Sequence, residues 1–220
     1  MKAIILLGPP GAGKGTVAAG LTRLTSYVHV STGDILRKAI KNGSSVGLEA
    51  KSFMEKGDLV PDDVIVKLIR ERIAFGGDDA CYMFDGFPRT MKQTEMLEGV
   101  ISGANGILLA VFLLEAPEEI LIKRLTGRRI CRDCGAVYHI QNIPSKVEGV
   151  CDKCGGELYQ RPDDTRETVV NRLDVYRTQT ADLIGRYEEK DLLIRVDSTR
   201  GKEIIDEEIV EHLKELEDSQ

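Results

Sequence analysis

The segment that most constrains the fold is Gly8-Pro9-Pro10-Gly11-Ala12-Gly13-Lys14-Gly15-Thr16, which directly follows the apolar run Ala3-Ile4-Ile5-Leu6-Leu7 and opens a helical stretch. Its glycines let successive backbone N–H groups turn inward and cradle phosphate oxygens at a helix N-terminus. Lys14 adds a compact positive charge for β- and γ-phosphates, and Thr16 offers a hydroxyl to phosphate and Mg2+. In the general pattern Ser or Thr follows the lysine at once, whereas here Gly15 intervenes. Two other readings stand beside the phosphate loop. Gly13-Lys14-Gly15-Thr16-Val17-Ala18 fits a dinucleotide fingerprint with Asp34 about twenty residues on, though that reading has no use for Lys14 or Gly8. A purely structural glycine turn is the other.

The rest of the chain alternates apolar runs with amphipathic stretches, which points to an α/β fold. Strands are predicted at 3–7, 27–30, 81–84, 107–114 and 192–196, near-continuous apolar runs of the kind buried on both faces of a parallel sheet. Pro117-Glu118-Glu119 opens a helix, with proline in the first turn and acids at the positive end of the dipole. Asp164-Thr165-Arg166-Glu167 reads as a capping box. Val169, Leu173, Tyr176, Thr180, Leu183 and Tyr187 follow it as an apolar stripe at helical spacing. A last helix spans about 202–216. Two regions break the rhythm: a helical excursion at 31–60, and a turn-rich stretch at 127–164 with no long helical period. Both are expected as insertions into a three-layer parallel-sheet core made of 1–30, 61–126 and 165–220.

Five cysteines occur, four of them as Cys131-Arg132-Asp133-Cys134 and Cys151-Asp152-Lys153-Cys154. Paired C-x2-C spacings of this kind suit a four-thiolate zinc site, and disulfides are the competing reading. A reducing compartment favours the metal. Cys81 stands apart and reads as a small buried hydrophobe.

Composition narrows the partners. Of 220 residues 42% are apolar and 30% charged, enough for one sizeable core, and the net charge is −6. An acidic chain is a poor match for nucleic acid. No apolar run approaches the ~18 residues that would span a bilayer. The N-terminal apolar stretch is shorter than the ~7–15 residues of a signal-peptide core. A cytoplasmic monomer is expected. His29, His139 and His212 fall in no catalytic or metal-binding spacing and read as surface or core residues.

Two further motifs sit at predicted strand ends, where ligands bind in open α/β sheets. Ser31-Thr32-Gly33-Asp34 precedes Arg37, and by itself reads as a helix start capped by Asp34. Asp85-Gly86-Phe87-Pro88-Arg89 ends the third strand, and an aspartate there can hold the water shell of Mg2+.

Together with Lys56-Gly57-Asp58-Leu59-Val60, Gln93, Gly127-Arg128-Arg129, Arg161-Pro162-Asp163-Asp164 and Asn171-Arg172-Leu173, these motifs resemble the adenylate kinase family, in its order and along essentially the whole chain. The stretch 127–164 resembles that family's long lid in its zinc-binding form, and 31–60 its nucleoside monophosphate-binding segment. The resemblance implies the reaction MgATP + AMP ⇌ 2 ADP. It implies ATP phosphates held by Gly11, Ala12, Gly13, Lys14, Gly15 and Thr16. The ATP adenine would be lined by Val137, Tyr138 and the backbone of Arg200, with Arg124 stacked near it. AMP would be bound by Thr32, Arg37, Asp58, Leu59, Val60, Gly86, Phe87, Pro88, Arg89 and Gln93. Arg128, Arg161 and Arg172 would close over the phosphates, the last two also reaching AMP. Catalysis would rest on Lys14, Arg89, Arg128, Arg161 and Arg172, with Asp85 acting on Mg2+ through water. Cys131, Cys134, Cys151 and Cys154 would hold structural Zn2+. Val17 departs from the glutamine usual at its position, a side chain with no catalytic role assigned.

The alternatives are a kinase for another nucleoside monophosphate, and a zinc-ribbon binding module fused to a nucleotide switch. The second is disfavoured by the net charge and by aromatic residues at only 5%.

Overall fold

The computed structural model describes residues 1–73 and 80–218. Among them the elements run β1 (Lys2–Leu7), α1 (Lys14–Leu24), β2 (Val28–Ser31), α2 (Thr32–Lys41), α3 (Ser45–Lys56), α4 (Asp62–Ile73), β3 (Cys81–Asp85), α5 (Met91–Gly103), β4 (Ile107–Glu115), α6 (Glu118–Thr126), β5 (Arg128–Cys131), β6 (Val137–His139), β7 (Leu158–Tyr159), α7 (Arg166–Val175), α8 (Asp182–Glu188), β8 (Leu193–Asp197) and α9 (Lys202–Asp218). Among the described residues no helix is long and apolar enough to cross a membrane.

Side-chain alternation on β1 sets the layers. Ala3, Ile5 and Leu7 point into one apolar cluster and Ile4 and Leu6 into the other, all of them buried. The first cluster takes residues of α4, α5 and α8, the second those of α1, α6, α7 and α9, so the sheet is covered on both faces. The sheet is wholly parallel, in the order β2-β3-β1-β4-β8. Parallel strands put all their carboxyl ends on one edge. The turns after Leu7, Ser31, Asp85, Glu115 and Asp197 therefore converge there, which is where the site forms.

The two expected insertions take different forms. Residues 31–60 fold into α2 and α3, each started by a serine: Ser31 Oγ accepts from Asp34 N–H and Ser44 Oγ from Gly47 N–H. Ser31, not Asp34, is the cap, because the Asp34 carboxylate is engaged by Arg37 (2.5 Å). Residues 127–164 form a small antiparallel sheet of order β6-β5-β7. A second cap also differs from expectation. Thr165 caps α7 by accepting from Thr168 N–H, while Asp164 turns inward to two arginines. Between α7 and α8 the helix widens to a π turn at Tyr176–Thr180, closed by the Ala181 N–H on Tyr176 O. That turn aims Thr180 Oγ1 at Arg89 O (2.9 Å), fastening the helix to the ligand edge of the sheet.

Candidate active site

The loop between β1 and α1 needs its glycines. Gly8, Gly11 and Gly13 have φ of +139°, +87° and +96°. A Cβ on Gly8 would come within 2.4 Å of Leu114 O, and one on Gly11 within 2.8 Å of Leu121 O. The loop is thus wedged between β4 and α6 and ends on the N-terminus of α1, whose first turn carries no acid. Lys14 Nζ donates to Gly8 O (2.6 Å) and Pro9 O (2.9 Å), folding over the loop. Burial lowers its pKa to about 8; Asp85 opposes the shift, and Arg89, Arg172 and Arg128 add to it. Ala12 is buried, whereas Gly15 and Thr16 are exposed on the first turn of α1. The lysine between two glycines suits a phosphate loop, and Lys14 has a use that the dinucleotide reading denies it.

Asp85 ends β3 beside this loop, its Oδ2 lying 3.7 Å from the position a Cβ on Gly15 would take. His29 Nε2 meets the same Oδ2 at 3.2 Å. His29 is therefore neither a plain surface nor a plain core residue. Its pairing with Asp85 runs between β2 and β3 and leaves no trace in sequence spacing. A carboxylate at a strand end beside an exposed Thr16 fits the water shell of a phosphate-bound Mg2+.

Beside the loop opens a cavity lined by Thr32, Arg37, Asp58, Leu59, Val60, Gly86, Arg89, Gln93 and Arg172, together with Asp163. Thr32 Oγ1 and Arg89 Nε both donate to Gly86 O, at 2.8 and 2.9 Å. Phe87 and Pro88 are buried and serve as packing beneath the turn, Phe87 edge-on to Phe84. Gln93 is oriented at both ends. Its Oε1 accepts from Arg89 N–H (2.8 Å) and its Nε2 donates to Asp62 Oδ1 (2.8 Å). Asn171 has a role that its sequence motif does not reveal. It donates to Lys56 O (2.8 Å) and Asp58 Oδ1 (3.1 Å), tying the cavity's 57–60 wall to α7.

Arg172 of this wall has two further arginines near it, Arg128 and Arg161, and all three are tied to carboxylates. Arg128 grips Asp164 with two bonds, Nε to Oδ2 at 2.8 Å and Nη2 to Oδ1 at 2.6 Å. Arg172 Nη1 reaches Asp163 Oδ2 (3.0 Å), Asp163 O (2.9 Å) and Asp164 Oδ1 (3.4 Å). Arg161 Nη2 lies 3.7 Å from Asp34 Oδ1, spanning from the small sheet's side of the molecule to α2. Its Nε is buried without a hydrogen-bond partner among the described residues. Burial and neighbouring arginines bring the pKa of Arg161 to about 10 and that of Arg89 to about 10. Burial comes first for Asp163 too and would raise its pKa, but Arg172 and Arg37 outweigh it and hold the carboxyl below its usual range. Strong cations drawn together in a partly buried space make a receptor for several phosphates.

On the far side of the loop, Arg124 of α6 is bonded to Ser198, and Arg200 to Asp197 O (3.2 Å) and to Glu208. Val137 is exposed. Tyr138 is not free to line a base with its ring. It is buried among the cysteines, its hydroxyl 3.4 Å from Cys151 Sγ and accepting from Asp152 N–H.

The four thiols gather as their spacing suggests. Their Sγ atoms all lie within 4.8 Å of one another, with Cys131–Cys154 at 3.4 Å and Cys134–Cys151 at 3.6 Å. A disulfide needs about 2.05 Å, whereas a tetrahedral Zn–S shell with ~2.3 Å bonds separates sulfurs by about 3.8 Å. The donor set and spacing fit a closed metal site with no open position.

The comparisons with known proteins agree along the chain. Residues 6–192 match the adenylate kinase family model. The adenylate kinase of Clostridium tetani is 48% identical over 94% of this chain and 95% of its own length. That of Carboxydothermus hydrogenoformans is 50% identical over 91% and 94%, and that of a Geobacillus strain 45% identical over 97% and 99%. With a phosphate loop, an arginine-lined cavity and these matches spanning nearly its full length, the chain belongs to the adenylate kinase family.

Proposed function

We infer that the protein transfers the terminal phosphoryl group of MgATP to AMP, giving two ADP, and that the reverse reaction uses the same site. The observation that carries this reading is the cavity shared by Thr32, Arg37, Gly86, Arg89, Gln93 and Arg172, which adjoins the Lys14 loop. One anionic acceptor and one polyphosphate donor can meet there, with cations on every side.

No general base is needed, because the acceptor is a phosphate oxygen already anionic at neutral pH. The protein's tasks are to align the two phosphates and to neutralise the charge spreading over the transferred group. Gly11, Ala12, Gly13, Gly15 and Thr16 would hold the donor phosphates by backbone and hydroxyl, with Lys14 following the group in transit. Arg37 and Arg89 would hold the acceptor phosphate and Arg128 the donor phosphates, while Arg161 and Arg172 would bridge both. Thr32, the 58–60 backbone, Gly86 and Gln93 would read the acceptor base, on the turn that Phe87 and Pro88 support. Val137, the Tyr138 backbone, Arg124 and Arg200 would hold the donor base. Bound Mg2+ supplies charge neutralisation at the donor phosphates, and Asp85 would orient its water. Zn2+ on Cys131, Cys134, Cys151 and Cys154 would be structural. In this reading 31–60 is the acceptor segment, 127–164 a lid that excludes competing water, and 1–30, 61–126 and 165–220 the core of a monomeric cytoplasmic enzyme.

The test is ADP formation with AMP, GMP, CMP and UMP as acceptors. A site that hydrogen-bonds one base rejects others by leaving its polar groups unpaired, and Gln93 is held in one orientation by Arg89 and Asp62. AMP should exceed the rest in kcat/KM. Equal turnover of CMP or UMP would make the protein a kinase of another nucleoside monophosphate.

A further inference from the structure

Ser198 lies between β8 and Thr199-Arg200, in the turn assigned above to the donor base, and is buried. Its N–H and its hydroxyl both donate to Glu115 O at the end of β4, each at 2.9 Å. With the hydroxyl hydrogen so directed, the Oγ lone pairs are left for Arg124. Arg124 Nη1 donates to Ser198 Oγ at 3.3 Å, and Nη2 to Ser198 O at 2.7 Å. Asp197, the neighbouring acid, has its Oδ1 engaged by Thr199 N–H and Oγ1, at 2.9 and 2.7 Å. A guanidinium is a planar fork of donors. Held along one edge by a single residue, it has a fixed plane, and a planar cation so held can stack by its face.

We propose that Ser198 is the positioning residue of the donor-base subsite, clamping Arg124 edge-on so that its flat face meets the purine of ATP. This rests on the reading of Arg124 as the stacking partner of that base. The hydroxyl is not required to tie β8 to β4, since the Ser198 N–H already bonds Glu115 O. What it adds is the second tooth of the grip on Arg124. A guanidinium is a good platform for a base because its own plane can lie parallel to the ring, and a platform free to turn loses that advantage.

The test is steady-state kinetics with varied ATP on wild type, Ser198→Ala, Ser198→Thr and Arg124→Ala. Ser198→Ala should raise KM for ATP about fivefold, the scale of one hydrogen bond's typical net contribution. Its kcat and its KM for AMP should stay within about twofold, the pattern of a lost ground-state contact. Ser198→Thr keeps the hydroxyl and should restore KM for ATP. Should Ser198→Ala not fold, Ser198→Cys keeps the shape with a weaker acceptor and is expected to raise KM for ATP likewise. An unchanged KM for ATP in the alanine or cysteine variant, with KM raised in Arg124→Ala, overturns the proposal alone. An unchanged KM in Arg124→Ala overturns the subsite reading and the proposal with it. A parallel rise in KM for AMP, or a fall in kcat, marks Ser198 as merely structural and overturns the proposal too.

Discussion

Lys14 sits in surroundings that conflict with its charge. Its pKa of about 8, against an ordinary 10.5, means that the folded protein binds the ammonium proton less well than the unfolded chain does. Stability of the ligand-free protein should accordingly rise with pH between about 8 and 10.5 as the unfolded chain alone keeps that proton. A polyphosphate over the loop reverses the preference. ATP binding should take up a proton above pH 8 and weaken as pH rises further. Calorimetry at pH 8.5 in two buffers of different ionisation heat would read that uptake, and Lys14→Met should abolish it. The same variant should lose more than about 10²-fold in kcat, the scale for one electrostatic contact to a transition state. Near-normal turnover in folded Lys14→Met would remove the phosphate-loop assignment. Lys14 was legible in the sequence because a loop writes its residues consecutively. Asp163 and Asp164 are legible only as part of a motif, whose local pattern reads Asp164 as a cap where Thr165 caps instead. The partner that claims its carboxylate, Arg128, lies 36 residues away, and no local pattern encodes that.

At the scale of elements, the strands of the large sheet could be read to within a residue; β1, β3 and β4 are continuous apolar runs, while the edge strands β2 and β8 keep enough of one, despite half-buried His29 and exposed Arg195, to show. The small sheet β6-β5-β7 could not. Its strands are two to four residues long, and a thiolate cluster stands where a core would be. The π turn was equally hidden: the apolar stripe runs on at helical spacing in the sequence, yet Val169 and Leu173 of α7 join one cluster, Leu183 and Tyr187 of α8 join the other, and Thr180 between them meets Arg89. An apolar set as small as Cys131, Tyr138, Cys151, Ala136 and Leu158 cannot hold a fold of its own, so metal binding should supply the folding energy. Cys151→Ser is expected to lower both the metal content and the Tm. Arg161→Ala should do the opposite, keeping metal and Tm while kcat falls by about 10²-fold, because among the described residues Arg161 makes a salt bridge to the exposed Asp34 alone, at 3.7 Å. Arg128→Ala should lose kcat and also destabilise, on the order of 3 kcal/mol, by stripping a fully buried carboxylate of its two-bonded partner. Mass spectrometry for zinc beside thermal melts separates the three. A metal-replete Cys151→Ser, or an Arg128→Ala with unchanged Tm, would show the small sheet to be held together otherwise.

Across the whole molecule, an acidic chain of net charge −6 builds a positive interior. Lys14, Arg37, Arg89, Arg128, Arg161 and Arg172 come from sequence positions far apart and meet around one space. Asp34, Asp85, Asp163 and Asp164 only partly balance them. Each arginine alone reads as a solvated surface charge; only the parallel sheet, by delivering its turns to one edge, makes them a set. Such a set is a liability to the empty protein. Arg89 shows it most clearly: burial, and next the charge of Arg172, bring its pKa from 12.5 to about 10, with Asp85 opposing. A folded pKa below the unfolded one means that the charged side chain weakens the ligand-free fold at any pH below about 10. Arg89→Met keeps the length and removes the charge. It forfeits the Nε–H bond to Gly86 O, worth about 1 kcal/mol net, a smaller loss than the penalty it relieves. The Tm of ligand-free Arg89→Met should therefore equal or exceed that of the wild type, while kcat drops by more than about 10²-fold. The rise in Tm on adding ATP or AMP should shrink in the same variant, since anions stabilise the protein by occupying the cations. A ligand-free Tm several degrees below wild type would instead make Arg89 a structural residue, and the stability of the empty enzyme would then owe nothing to relief of repulsion in its site.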